Sequence, residues 1–127
     1  MKKDKVIIIA EAGVNHNGSV TKAKKLISAA ANSGADFIKF QTFEPEQMII
    51  PNTEMAEYQK KNTKKNQTQY EMLKKYKINK KYYKELIKFS KKKKIKFLSS
   101  PFDIHSIKFL QKLKLNLFKI PSGEITN

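Results

Sequence analysis

Four short apolar runs punctuate the chain and predict β-strands. They cover residues 6–10, 37–40, 95–98 and 117–120. β-Branched and aromatic side chains dominate these runs, and turn-forming residues bound them, which is typical of short buried strands. The chain is therefore predicted to carry four strands.

Helical periodicity fills the intervals between the runs. Apolar residues recur at helical spacing in residues 21–33, in the segment after Asn79 and in the segment after Asp103. Ser19 or Thr21 can cap the first helix, Asn79 can cap the second, and Asp103 can cap the third. Because strands and helices alternate, the pattern favours parallel strands joined by right-handed crossovers.

Residues 43–77 interrupt this alternation, since they form a long polar stretch after the second run. One short helix is predicted within it, at residues 69–75. Long insertions after a strand end are usually functional or disordered. We expect the part rich in lysine and asparagine, residues 60–66, to be mobile.

Composition excludes several classes of protein. The chain of 127 residues contains no cysteine, which rules out a disulfide framework and a thiolate zinc site. The basic start is followed by only one short apolar run, residues 6–10, and export needs about 7–15 apolar residues. A membrane span needs about 18 or more. We therefore expect a soluble, cytoplasmic protein that binds no membrane.

The formal net charge of +16 changes this picture less than its size suggests. Every one of the 27 basic residues is lysine, whereas arginine is the side chain that forks onto phosphates and guanine edges. The chain is also rich in isoleucine and asparagine, as AT-rich codons would make it. We interpret the lysines as a solvated surface and expect no nucleic-acid partner, although a positive field would attract anionic substrates.

Polar side chains follow each apolar run, at the end where parallel α/β folds bind ligands. They are Glu11 after the first run, Lys39 and Gln41 on and after the second, Ser99 and Ser100 after the third, and Lys119, Ser122 and Glu124 on and after the fourth. A lysine inside a buried strand is costly without a partner. Two lysines at equivalent places therefore indicate a small anion, such as a phosphate or a carboxylate.

Plainer interpretations exist for the same residues. Glu11 can pair with Lys39 or Lys119 as a structural salt bridge, and serines are common turn formers. His16 lies in an Asn-Gly turn sequence without a second ligand at metal-binding spacing, and His105 is expected to be a surface or packing residue of a helix. Glycine-rich phosphate loops and nucleophile elbows are absent from the sequence. Pattern alone predicts part of a parallel barrel or sheet that binds a small anionic metabolite.

Four sequence motifs resemble those of the sialic-acid (N-acetylneuraminate, or nonulosonic-acid) synthase family, in that family's order. They are IIAEAGVNHNG at residues 8–18, KFQT at 39–42, FLSSPFD at 97–103 and FKIPSGEITN at 118–127. The resemblance implies an enzyme that condenses phosphoenolpyruvate with an N-acetylated hexosamine, such as N-acetylmannosamine, and releases phosphate. The motif style leans towards the neuraminate or legionaminate branch rather than the pseudaminate branch.

The resemblance also implies roles for individual residues. Glu11 falls where the family has its candidate catalytic carboxylate for proton transfer. Four residues fall where the family cradles phosphoenolpyruvate: Lys39, Ser100, Lys119 and Ser122. Gln41 and Glu124 match pocket positions, and for them only substrate contact is implied. A divalent metal ion, manganese or magnesium, and a homodimer are implied as well.

The fold implied is α/β: residues 1–127 match the N-terminal half of a (β/α)8 TIM barrel, with about four parallel strands and intervening helices. The C-terminal barrel half and the family's antifreeze-like cap domain have no counterpart in the chain, nor have the family's metal-binding histidines. We therefore expect the isolated chain to be inactive. Alternatives are another phosphoenolpyruvate-condensing barrel, a truncated non-catalytic remnant, and a basic nucleic-acid-binding module.

Overall fold

A parallel three-stranded sheet forms the centre of the protein. The computed structural model describes residues 6–48, 68–115 and 117–126. Strands β1 (Ile9–Gly13), β2 (Phe37–Thr42) and β3 (Lys96–Pro101) lie in the order β1-β2-β3, and both pairs are parallel. The fourth apolar run contributes a single parallel bridge to β3, between Ser99 and Phe118. The predicted parallel α/β arrangement is confirmed, but within the described residues the fourth run forms this single bridge in place of the predicted strand.

Helices connect the strands in the predicted alternation. They are α1 (Val20–Asn32), α2 (Pro45–Met48), α3 (Gln69–Tyr76), α4 (Tyr83–Lys92) and α5 (Ile104–Lys112). A 3-10 turn, Lys80–Tyr82, leads directly into α4, and a second one, Ser122–Glu124, lies after α5. The short helix predicted at residues 69–75 is confirmed as α3. The prediction of a mobile part at residues 60–66 lies outside the described residues.

Local capping chemistry places the helix starts where the sequence predicts them. The Ser19 side chain accepts the backbone N–H of Lys22 at 3.3 Å at the start of α1. Asp103 Oδ1 accepts the N–H of Ser106 at 2.7 Å at the start of α5. Asn79 caps the 3-10 turn that leads into α4. Each bond satisfies an N–H group that the helix itself leaves without a partner.

The hydrophobic core lies between one face of the sheet and helices α1, α4 and α5. Because side chains alternate along a strand, Ile38, Phe40 and Thr42 of β2 all point to this face and are buried. Phe40 stacks on Phe97 with 5.1 Å between ring centroids, and Tyr83 of α4 meets Phe97 edge-on at 6.2 Å. The intervening residues of β2 therefore point to the opposite face, which carries the candidate site.

Candidate active site on the inner face of the sheet

The strand register gathers the predicted site residues into two adjacent rows. Glu11 pairs with Lys39 across β1 and β2, and Gln41 pairs with Ser100 across β2 and β3. Phe118 makes an isolated parallel bridge to Ser99, and Lys119 is the residue that follows it. Side chains that are neighbours in register point to the same face of a sheet. Four of the seven predicted residues thus belong to one face, near the carboxyl ends of the strands.

An ion pair joins Glu11 and Lys39. The Lys39 Nζ atom contacts Glu11 Oε2, and the lysine side chain is 13% exposed whereas the glutamate side chain is 50% exposed. The sequence allowed a salt bridge from Glu11 to either Lys39 or Lys119, and in the structure Lys39 is the partner. The half-exposed carboxylate leaves the pair open to solvent on one side, so the ion pair and the binding of an anion by Lys39 are compatible.

A backbone irregularity at the end of β1 brings Glu11 towards Gln41. The register shifts between Glu11 and Gly13, and Gly13 has a left-handed φ of +51°. A Cβ atom at Gly13 would stand 3.3 Å from Glu11 Oε1 and 3.7 Å from Gln41 Nε2. The carboxylate and the amide therefore approach the same point above the glycine backbone.

The two serines of β3 have different surroundings. Ser99 Oγ lies 2.7 Å from Thr42 Oγ1, which lies 2.9 Å from the hydroxyl of Tyr83. Burial raises the pKa of Tyr83 to about 12, so this chain of hydroxyls stays neutral. Ser100 Oγ is buried on the other face and has no hydrogen-bond partner among the described residues. Ser99 thus belongs to the core, and Ser100 presents a hydroxyl to the candidate site.

The remaining predicted residues lie after the bridge. Lys119 and Ser122 are exposed, and Glu124 is half-buried. Glu124 lines a cavity of about 500 Å³ together with Asp103 and Ile120. Neither Glu11 nor Lys39 lines this cavity. The structure therefore places these three residues after the bridge to β3 and outside the paired rows.

Comparison with known proteins decides the family. The model of the NeuB family matches residues 26–127. The chain belongs to the NeuB family. The sequence resemblance to sialic-acid synthases is thereby confirmed.

Relatives of this NeuB-family chain are synthases of nonulosonic acids. It is 53% identical over 123 residues to the N,N'-diacetyllegionaminic acid synthase of Campylobacter jejuni, covering 97% of this chain and 37% of the relative. It is 49% identical over 120 residues to the synthase of the same name in Legionella pneumophila, covering 94% of this chain and 34% of the relative. The chain thus spans about a third of the length of these curated relatives.

A solved structure confirms the fold. The N-acetylneuraminic acid synthetase of Leptospira borgpetersenii, crystallised in complex with citrate, superimposes with a TM-score of 0.72 at 30% identity. The match covers 92% of this chain and 36% of that chain. The α/β assignment as part of the synthase barrel is therefore confirmed.

A group of ionic residues that the sequence reasoning missed lies at the same edge of this NeuB-family chain. Glu44, just after β2, contacts the ammonium groups of Lys77 and Lys80, and its backbone N–H donates to Asp103 Oδ2 at 2.8 Å. These contacts tie the loop after β2 to the start of α5. Both acidic residues follow strand ends, so the rule that found the other polar residues also pointed to them.

We expect Glu44→Gln to lower the free energy of unfolding by about 1–3 kcal/mol at neutral pH, because two partly buried ammonium groups lose their counter-charge. Burial opposes ionisation of Glu44, but hydrogen bonds and attraction from Lys77 and Lys80 outweigh it and lower its pKa below the ordinary 4.5. A lowered folded-state pKa gives stability that is present above the unfolded value and lost as pH falls. Urea unfolding of the wild type and the variant, at neutral pH and below about pH 4, measures this difference in the free energy of unfolding.

The control for this prediction is Glu46→Gln. This substitution removes the same charge two residues away. The Glu46 side chain is exposed on α2 and accepts a hydrogen bond from Tyr70. We expect the Glu44 effect to exceed the Glu46 effect at neutral pH and to shrink below about pH 4. An effect of Glu44→Gln that is equal at both pH values would contradict its ionic origin.

A divalent metal site does not form from the described residues alone. Within residues 6–48, 68–115 and 117–126, no group of three or more histidine, cysteine, aspartate or glutamate residues could hold a metal ion. His105 is exposed on α5, as the sequence predicts, and His16 is buried in the loop after β1. These described side chains therefore do not provide a ligand set for the metal that the resemblance implies.

Across the part of the chain that the structure describes, no helix has the length and apolar character to cross a bilayer.

Proposed function

We propose that the protein carrying this chain is a nonulosonic-acid synthase that joins phosphoenolpyruvate to an acetamido sugar. One observation carries the proposal: Glu11, Lys39, Gln41 and Ser100 converge on one face of the sheet, and Lys119 follows the residue that bridges to β3. Two ammonium groups and a buried hydroxyl form a suitable cradle for an anion that carries both a phosphate and a carboxylate. Family membership supports the same assignment.

The proposed reaction balances with water as the third reactant. Carbon 3 of phosphoenolpyruvate attacks the aldehyde carbon of the sugar and forms the new C–C bond, and the aldehyde oxygen gains a proton. Water adds to carbon 2, and inorganic phosphate leaves with the bridging oxygen. Glu11 is the carboxylate at hand to accept or relay the proton that the water loses.

The substrate anion would give Lys39 a second partner. Lys39 contacts Glu11 in the structure, and an ammonium group can donate three hydrogen bonds. It can therefore hold the Glu11 carboxylate and a substrate oxygen at the same time. In this arrangement Lys39 fixes the distance between the anion and the proton-transferring group, while Ser100, Lys119 and Ser122 donate to the remaining oxygens.

The relatives suggest which sugar is used. Phosphoenolpyruvate contains no nitrogen, so both acetamido groups of a diacetylated product must come from the sugar. We propose a diacetamido hexose as the preferred substrate, with N-acetylmannosamine as the weaker one. Gln41 and Glu124 are the side chains proposed to contact the sugar, since the amide and carboxylate groups suit hydroxyl and amide N–H groups.

Exposed apolar side chains support further structure around residues 1–127. Ile8 and Ile9 are 53% and 44% exposed, and Ile120 and Ile125 are 56% and 72% exposed. We propose that further barrel strands cover these side chains, which would complete a (β/α)8 barrel carrying the cap domain. A homodimer and a cytoplasmic location are part of the same proposal.

The test measures phosphate release by the full polypeptide that contains this chain. Phosphoenolpyruvate is supplied with Mn²⁺, and the sugar is a diacetamido hexose, N-acetylmannosamine or a sugar phosphate. We expect release only with an acetamido sugar, and a nine-carbon acid by mass spectrometry. Turnover only with the sugar phosphate would favour the other class of phosphoenolpyruvate-condensing barrel, and release without any sugar would contradict both.

A further inference from the structure

The loop between β1 and α1 contains a buried histidine. His16 is 1% exposed, and its Nδ1 atom accepts the backbone N–H of Gly18 at 3.0 Å. Burial lowers the pKa of His16, although a backbone hydrogen bond at Gly13 opposes this shift. A neutral imidazole is required, because Nδ1 can accept a hydrogen bond only when it carries no proton.

The loop has a backbone conformation that ordinary residues rarely adopt. Asn17 and Gly18 have left-handed φ values of 49° and 73°. Successive turns close around them, with the N–H of Asn17 bonding to Val14 at 2.9 Å and that of Ser19 bonding to His16 at 2.9 Å. A left-handed φ at a residue other than glycine costs free energy, and it persists only where the surrounding structure holds it in place. The imidazole bond to Gly18 is a side-chain contact that holds this segment.

Both ends of the loop meet fixed structure near His16. At one end, a Cβ atom on Gly18 would stand 2.5 Å from the carbonyl oxygen of Lys75, so the glycine lies against the last turn of α3. At the other end, the imidazole lies 5.8 Å from the Phe40 ring, centroid to centroid. Phe40 is the register partner of Gly13, the residue above which Glu11 and Gln41 approach each other.

We propose that His16 is a positioning residue: its Nδ1 atom holds the β1–α1 loop so that the irregular end of β1 presents Glu11 to Lys39 and Gln41. This inference rests on the proposed function for its link to catalysis. His16 acts through the backbone of the loop and touches no reacting atom. Displacement of a catalytic group by about 1 Å can cost about a hundredfold in rate, so the loop conformation matters to turnover.

Two substitutions of similar size separate this role from packing. His16→Asn keeps an acceptor near the position of Nδ1, and His16→Leu removes it but fills the site with an apolar side chain. We expect kcat of the full polypeptide to stay within about threefold for Asn and to fall about 10- to 100-fold for Leu. KM for phosphoenolpyruvate should change little in either variant.

Packing alone predicts the opposite order, because leucine suits the apolar contact with Phe40 better than asparagine does. Thermal unfolding of both variants is therefore measured beside kcat. A higher kcat for Asn than for Leu, at equal or lower thermal stability, supports the inference. A higher kcat for Leu overturns it, as does equal kcat in the two variants.

A second readout does not depend on the reaction. Hydrogen exchange at the Gly18 amide should be accelerated about tenfold or more in the Leu variant relative to Asn. If the parent protein releases no phosphate, the proposed function has failed, and Gly18 exchange still tests the structural half of the inference. Equal protection in both variants overturns it.

Discussion

Glu11→Gln is expected to lower kcat by about 10²- to 10⁴-fold, which is the range for loss of a proton-transferring side chain. The amide keeps the size and the hydrogen-bonding capacity of the side chain but cannot accept the proton from water. Because Glu11 is half exposed and its ion pair with Lys39 lies near solvent, the free energy of unfolding should change by no more than about 1 kcal/mol. Steady-state phosphate release and urea unfolding measure the two effects.

Glu85→Gln is the matched control for Glu11. Glu85 pairs with Lys24 and has a side-chain exposure of 47%, close to the 50% of Glu11. It lies on α4, on the outer side of the sheet, so its loss should leave kcat unchanged. If the Glu11 variant loses stability but retains kcat, the role of Glu11 is structural, through its salt bridge, and not catalytic.

The features predicted correctly from sequence are those decided by local chemistry. Ser19, Asn79 and Asp103 each satisfy backbone N–H groups within three residues of their own position. Such bonds need no tertiary partner, so a sequence pattern is enough to place them. The spacing of Lys39 and Gln41 is equally local, and both lie on one face of β2 as their two-residue separation predicts.

Strand boundaries depend on a partner and were less accurate. The first strand was predicted at residues 6–10, from its apolar side chains, but β1 covers Ile9–Gly13. Pairing with β2 selects the residues, and the ladder of backbone bonds extends through Glu11 whatever its side chain. The third strand likewise runs through the polar residues to Pro101. At residues 117–120 the pairing with β3 is reduced to one bridge.

Which of Ser99 and Ser100 points into the core, and which towards the candidate site, was not predictable from the sequence. Adjacent residues of a strand point to opposite faces, so one of the two had to enter the core. Only the register with β2 shows which, since it sets Ser99 beside Phe40 and Ser100 beside Gln41. The position of Glu44 after a strand end was available from the sequence, but its pairing with Lys77 and Lys80 was not, because these partners are about 33–36 residues away and meet it only in the folded chain.

Lys39→Met is expected to raise KM for phosphoenolpyruvate about ten- to a hundredfold. Methionine retains the length and the apolar stem of lysine, but the hydrogen bonds of an ammonium group to a substrate oxygen are lost, and each such bond contributes about 1.5–3 kcal/mol. Lys39 is 13% exposed, so water does not readily replace the missing charge. Glu11 remains half exposed and solvated, which limits the loss of stability.

Lys96→Met provides a control on the same face of the same sheet. Lys96 begins β3, pairs in register with Phe37 and places its ammonium 5.2 Å from that ring, at the end of the sheet away from the site. Both variants lose one positive charge, so a general weakening of the positive field would raise KM equally in the two. A rise confined to Lys39→Met indicates direct contact with the anion. Equal rises would instead attribute substrate attraction to the overall charge of +16 and remove Lys39 from the proposed cradle.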